Sequence, residues 1–254
     1  MKTAVVTLCI GEFYEKIGEV THPMFKSYAE KIGADFIVLN EDKINKEVNR
    51  NANENTGQNP PIFCYEKFQI GELLDSYDRV CFLDTDMIMS SEIPDIFDIV
   101  PIDMVGLVDE KPLGYDTKFI EFLKEHFPEY LNVWIEEKHR KCYNTGLFVC
   151  SKIHKDIFTV PEVLINHYQE QSYLNLQIIK EKVKVFDLPY QYNRMIYMDL
   201  IIPEHRLKSY IVHYAGFFAG RGVEEVTKFL IKEYEMMMSG DISRDDVKIG
   251  WGQI

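Results

Sequence analysis

Two carboxylates stand two residues apart in Asp84-Thr85-Asp86, between the apolar run Val80-Cys81-Phe82-Leu83 and a second run, Met87-Ile88-Met89. It is the only Asp-x-Asp in the chain. A buried strand that ends in two acids delivers them to the carboxyl edge of a sheet, where open α/β proteins bind ligands. Ionised carboxylates this close repel each other unless a cation lies between them. A hard divalent ion with oxygen ligands, Mn²⁺ or Mg²⁺, meets that need and can carry a diphosphate on its far side. A pair of solvated turn acids is the plainer alternative, and the flanking strands weigh against it. Val105-Gly106-Leu107-Val108-Asp109 repeats the pattern of a buried strand ending in an acid.

The charge balance bears on the same chemistry. The 254 residues carry 28 Lys+Arg and 41 Asp+Glu, a formal net charge of −13. A surface so acidic excludes broad nucleic-acid binding through a basic face and repels anionic lipid. A phosphorylated ligand would need locally recruited positive charge or a metal ion.

Alternating strands and helices must position these acids. Residues 3–10 and 35–39 read as strands on either side of a helix at 21–31, a parallel βαβ opening. Residues 41–59 form a long polar loop, a candidate lid. An amphipathic helix is expected over 62–76, a strand before Asp84, a strand ending at Asp109, and a helical stretch over 116–139. Strand 143–150, helix 161–181, strands 183–188 and 210–214, and an amphipathic helix over 223–238 complete the pattern. One α/β domain over 1–254 is expected, with 223–254 as C-terminal helix and tail and a mainly parallel, Rossmann-like mixed sheet flanked by helices. The N-terminal apolar run is too short for a signal peptide, and no stretch approaches a membrane span. Five cysteines, with Cys9, Cys81 and Cys150 in strand-like runs, read as reduced core thiols. A cytoplasmic protein with no integral membrane segment is expected; a homodimer is compatible with these features.

Residues 79–89 resemble the strand-plus-acidic motif of glycosyltransferase family 8, the glycogenin-like nucleotide-sugar transferases of GT-A fold. Asn144-Thr145-Gly146-Leu147, Glu170-Gln171-Ser172-Tyr173-Leu174-Asn175 and His213-Tyr214-Ala215-Gly216 resemble three further segments of that family, in the same order. The resemblance implies a metal held by Asp84, Asp86 and His213. It places Thr7, Leu8 and Cys9 along the base and ribose, and Thr85 and Gly216 at the nucleotide. Lys67 would approach the phosphates or donor sugar, and Asp109, Asn144, Glu170 and Gln171 would hold the sugar and serve catalysis.

The chain departs from the family twice. Glu170 stands where the family has Asp, and the downstream Lys-Pro-Trp is missing. Arg221, between two glycines, is the substitute phosphate ligand on chemical grounds, since a guanidinium suits phosphate oxygens. Plain structural roles remain open for His213 (a core hydrogen bond), Lys67 (a surface cation), Asn144 (a turn) and Gln171 (a helix cap).

The expected activity is metal-dependent transfer from a nucleoside-diphosphate sugar, UDP-sugar first and GDP-sugar second, to a hydroxyl on a glycan, protein or small molecule. Family resemblance implies retention of anomeric configuration. Two rivals are a non-catalytic nucleotide-sugar binding module and an Asp-x-Asp phosphatase; the latter usually carries its motif after the first strand.

Overall fold

The computed structural model describes residues 1–44, 63–114, 116–136, 141–161 and 169–242. In chain order, β1 (Thr3–Leu8), α1 (Glu12–Lys31) and β2 (Asp35–Leu39) form the opening unit. A 3₁₀ segment, Phe63–Gln69, then runs into α2 (Ile70–Leu73). Next come β3 (Arg79–Asp84), β4 (Met87–Met89), α3 (Ile96–Ile99) and β5 (Val105–Asp109). Helices α4 (Asp116–His126) and α5 (Pro128–Glu136) lead to β6 (Tyr143–Ser151). The chain continues through α6 (Gln169–Lys180), β7 (Val185–Asp187), β8 (Arg194–Met195), β9 (Ile211–His213) and α7 (Val223–Ser239).

Six strands make the main sheet in the order β2-β1-β3-β6-β5-β7. Strand β1 pairs in parallel with β2 and β3, β6 runs antiparallel between β3 and β5, and β5 is parallel to β7. The expected mixed α/β sheet is present. Its central strands are buried on both faces because successive side chains alternate sides. Val5, Cys81, Leu83, Leu147 and Val149 pack with α1 and α7 in one core, whereas Ala4, Val6, Val80, Phe82, Phe148 and Cys150 pack with α2, α4, α5 and α6 in the other. All five cysteines are free, as expected. No helix among the described residues is long and apolar enough to cross a membrane.

Several boundaries differ from the sequence reading. Helix α1 starts at Glu12 rather than residue 21, with Glu12 and Glu15 in the first turn where the helix dipole favours acids, and it passes through Pro23. Half of the described part of 62–76 is 3₁₀ helix, with Ile62 outside the described residues. The helix over 116–139 breaks at Phe127, because the residue before a proline disfavours helical geometry. Residues 45–59 of the expected loop, 137–139, 162–168 and the tail from 243 lie outside the described residues.

A second sheet, in the order β4-β9-β8, folds the end of the chain under the acidic turn. Met87 pairs with His213 across β4 and β9, and the Tyr214 amide donates to the Asp86 carbonyl at 3.0 Å. Below it, Glu233 of α7 accepts from Arg206 Nε at 2.8 Å and from the Tyr214 hydroxyl at 3.0 Å, while Arg206 Nη1 meets Asp199 at 2.8 Å. Arg206 and Glu233 are buried, so removing one partner strands the other's charge. Arg206→Met is expected to lower unfolding free energy by about 3–5 kcal/mol in urea titration; a change under about 1 kcal/mol would contradict a buried pair that fastens α7 beneath β9.

Candidate active site

Parallel pairing brings Leu8 at the end of β1 opposite Asp84 at the end of β3. Thr85 turns inward, donating to the Leu8 carbonyl and meeting the Thr7 hydroxyl at 3.2 Å. Thr7 is fully buried. It therefore acts on the acidic turn from beneath, where the family resemblance had it lining a base. With Thr85 pinned inward, the alternation of side chains leaves Asp84 and Asp86 partly exposed.

His213 completes the group. Its Nε2 lies 3.3 Å from Asp86 Oδ1 and 3.7 Å from Asp84 Oδ2. One ligand atom from each of the three residues falls within 4.8 Å of the others. Burial alone would lower the His213 pKa, but the Asp86 and Asp84 carboxylates outweigh it and raise it. Gly146 of β6 makes the space: a Cβ there would overlap the imidazole and come within 2.8 Å of Asp84 Oδ2. Two carboxylates and an imidazole, cradled over a glycine, suit Mn²⁺ or Mg²⁺.

The 3₁₀ geometry of Phe63–Gln69 eclipses residues three apart. Glu66 and Gln69 meet each other at 2.5 Å and tie to residues 41–44, with Glu66 accepting the Lys43 and Ile44 amides at 3.1 Å. Lys67 is buried, its Nζ 3.5 Å from Asp84, 3.2 Å from Glu170 and 3.2 Å from the Thr145 carbonyl. Burial opposes its charge, and Asp84 and Glu170 overcome that to raise its pKa. Burial also drives Glu170 up to about 7, Lys67 pulling it down and Asp84 adding to the rise. Its Oε1 has no hydrogen-bond partner among the described residues.

A carboxyl whose folded pKa exceeds its unfolded value of 4.5 adds stability below that value and loses it as pH rises towards about 7. The difference in unfolding free energy between the wild type and Glu170→Gln is therefore expected to shift against the wild type from pH 4.5 to 7.5. A pH-independent difference would contradict the raised pKa.

Beside this lies a network of amides. Asn144 Nδ2 donates to Glu110 at 2.8 Å and to Gln171 Oε1 at 3.2 Å, while Gln171 Nε2 donates to Glu110 at 2.6 Å. Gln171 Oε1 also accepts the Thr145 amide at 3.3 Å. Glu170, Gln171 and Asn144 thus gather around Thr145 and Glu110. Asp109 does not join them: its Oδ1 accepts the Lys111 and Cys142 amides at 3.0 and 3.2 Å, and its neighbour Glu110 takes the buried place.

Arg221 is also elsewhere engaged, its Nη1 2.6 Å from Glu225, its Nε on the Phe217 carbonyl and its guanidinium over the Phe217 ring. Gly216 occupies a left-handed conformation at φ +69°, in the turn where Tyr197 bonds the Ala215 carbonyl. Cys9 lines a groove with Glu15, His22, Phe36, Val38 and Asn40, a lining that does not include Asp84, Asp86 or His213.

The sequence reading missed Glu110, Asn193, Cys64 and Tyr14. The Cys64 thiol is pushed up to about 12 by burial, Lys67 opposing and Glu170, Asp84 and Asp86 adding. Partial burial and then the charge of Asp86 raise the Tyr14 phenol. Both residues therefore feel the charge of the acidic turn. Only Glu110, directly after the singled-out Asp109, had a signal of its own.

No family model and no curated protein matches the chain. Solved structures do. The chain is similar to the bifunctional glycosyltransferase WbbM (TM-score 0.56, 16% identity), covering 92% of this chain and 51% of that one. It therefore spans about half of WbbM. A glycosyltransferase involved in glycosylation of the major capsid of PBCV-1 matches at TM-score 0.54 and 12% identity over 91% of this chain and 100% of that chain. The galactosyltransferase LgtC, in complex with donor and acceptor sugar analogs, matches at TM-score 0.51 and 16% identity over 90% and 95%. These likenesses show the fold, that of GT-A glycosyltransferases.

Proposed function

We propose that the chain is a metal-dependent glycosyltransferase that moves a sugar from a nucleoside-diphosphate sugar to a hydroxyl acceptor. The observation that carries this reading is the convergence of Asp84, Asp86 and His213 within 4.8 Å at the carboxyl end of β3. The buried Lys67 and Glu170 beside it, the GT-A fold and the ordered resemblance to family 8 support it. So does the similarity to LgtC, whose structure holds donor and acceptor sugar analogs. A UDP-sugar is the proposed donor, and a glycan, protein or small-molecule hydroxyl the acceptor.

Asp84, Asp86 and His213 would hold Mn²⁺ or Mg²⁺. Bound there, the ion would supply the positive charge that stabilises a departing diphosphate. The chain's own residues do the rest. Thr85, fastened to β1, aims the two acids outward. Lys67 keeps a full positive charge next to Asp84 and turns towards the donor side of the site. Glu110 holds the amides of Asn144 and Gln171, which present fixed dipoles to the sugar. Gln171, an amide rather than a carboxylate, stabilises an oxocarbenium-like sugar instead of attacking it, consistent with retention and with the donor's own phosphate oxygen taking the acceptor proton. Leu8 and Cys9 at the end of β1 lie towards the base and ribose.

Thermal unfolding with Mn²⁺ and a panel of nucleotide sugars tests the donor. One donor at about 100 times its dissociation constant adds about 2.7 kcal/mol. A rise in Tm with UDP-sugars that requires Mn²⁺ is the expected result; a rise with GDP-sugars only would replace the base, and no rise with any nucleotide sugar would overturn the reading.

A further inference from the structure

Asn193 is completely buried, just after the 3₁₀ turn Tyr190–Tyr192, and touches both halves of the site. Its Oδ1 lies 3.0 Å from His213 Nδ1, and its Nδ2 lies 2.8 Å from Asn144 Oδ1. The direction of every bond in this chain follows from one fixed donor. The Gly146 backbone N–H, which only donates, meets Asn144 Oδ1 at 2.9 Å. Asn144 must therefore turn its oxygen that way and its Nδ2 towards the Glu110 carboxylate. An amide oxygen accepts, so the Asn193 atom facing it is the nitrogen. That leaves the Asn193 oxygen facing His213, and an oxygen there requires a proton on Nδ1.

We infer that Asn193 is a positioning residue that holds the proton of His213 on Nδ1 and so keeps Nε2, the nitrogen facing Asp84 and Asp86, as the ring's metal-binding atom. A histidine that binds a metal through one nitrogen is oriented by the hydrogen bond its other nitrogen makes. Here that partner is an amide, itself oriented by Asn144, so the metal group and the sugar-facing amides share one hydrogen-bonded chain from His213 to Glu110. The inference rests on the metal reading of Asp84, Asp86 and His213.

Two measurements test it. Mn²⁺ affinity, by calorimetry without donor, is expected to fall about 10- to 100-fold in Asn193→Ala. An Ala variant within twofold of the wild type would overturn the inference. The second measurement needs no variant: ¹⁵N correlation spectra of histidine-labelled wild type with excess diamagnetic Mg²⁺ are expected to show His213 protonated at Nδ1 and not at Nε2. Protonation at Nε2 would overturn the inference. Wild type that binds no Mn²⁺ while showing Nδ1–H would sink the metal reading alone and leave the role of Asn193 in place.

Discussion

Asp86→Asn is expected to abolish tight Mn²⁺ binding and to lower sugar transfer by about 10²–10⁴-fold, as loss of several kcal/mol of charge stabilisation requires at 1.36 kcal/mol per tenfold. The fold should be unharmed. The Asp86 side chain faces outward, and the bond that anchors this turn runs from the Tyr214 amide to the Asp86 backbone carbonyl. Without metal, the substitution removes one of two like charges but also the carboxylate paired with His213, so the melting temperature is expected to change little. The same change takes away the carboxylate 3.3 Å from His213 Nε2, so the raised His213 pKa should fall. Calorimetric Mn²⁺ titration of wild type and variant decides the point. Equal affinity would remove Asp86 from the metal group.

Gly146→Ala is expected to be nearly as damaging to the metal site although it removes no ligand. The added methyl would overlap the His213 ring and press to 2.8 Å on Asp84 Oδ2. Neither neighbour is free to move. His213 is held by Asn193 and by the pairing of β9 with β4, and Asp84 ends a central strand whose register is set on both sides. Overpacking of this kind costs about 1–3 kcal/mol of stability. Mn²⁺ affinity should drop at least about 100-fold, the upper end of what misplacing a ligand through its surroundings does, while the circular dichroism of the sheet is retained. Wild-type Mn²⁺ affinity in Gly146→Ala would mean that His213 and Asp84 do not act together on an ion.

The residues that were legible in the sequence share a physical property: each sits where a simple period operates. The unbroken apolar run Val80-Cys81-Phe82-Leu83 announced a buried strand, and its two terminal acids marked the edge of the sheet. His213 was visible through its place in a short apolar strand and its likeness to a family segment, not through spacing, because its partners lie more than a hundred residues earlier. Lys67 was placed on a helical stretch, and that much held, but the tighter 3₁₀ winding that sets Cys64 beside it follows from packing rather than from periodicity.

Glu110 was hidden by an irregularity. Gly106 stands opposite Val149 and Val108 opposite Asn144, so β6 advances five residues while β5 advances two. A shift in register at such a bulge re-aims the side chains beyond it. Asp109 caps its own turn as a result, and Glu110 meets the amides. Asn193 lies in irregular backbone, where no pattern marks a buried amide. Arg221 pairs with Glu225 at i,i+4 spacing, a contact that its place between two glycines did not announce.

A protein with a balance of −13 handles a diphosphate, on this account, because two of its acids recruit the opposing charge. The most direct measurement is release of nucleoside diphosphate from UDP-sugars by the purified chain, with and without Mn²⁺, alongside Asp86→Asn. The account predicts Mn²⁺-dependent release by the wild type and its loss in the variant. Tight donor binding with no release under any metal, or release that survives in Asp86→Asn, would contradict it.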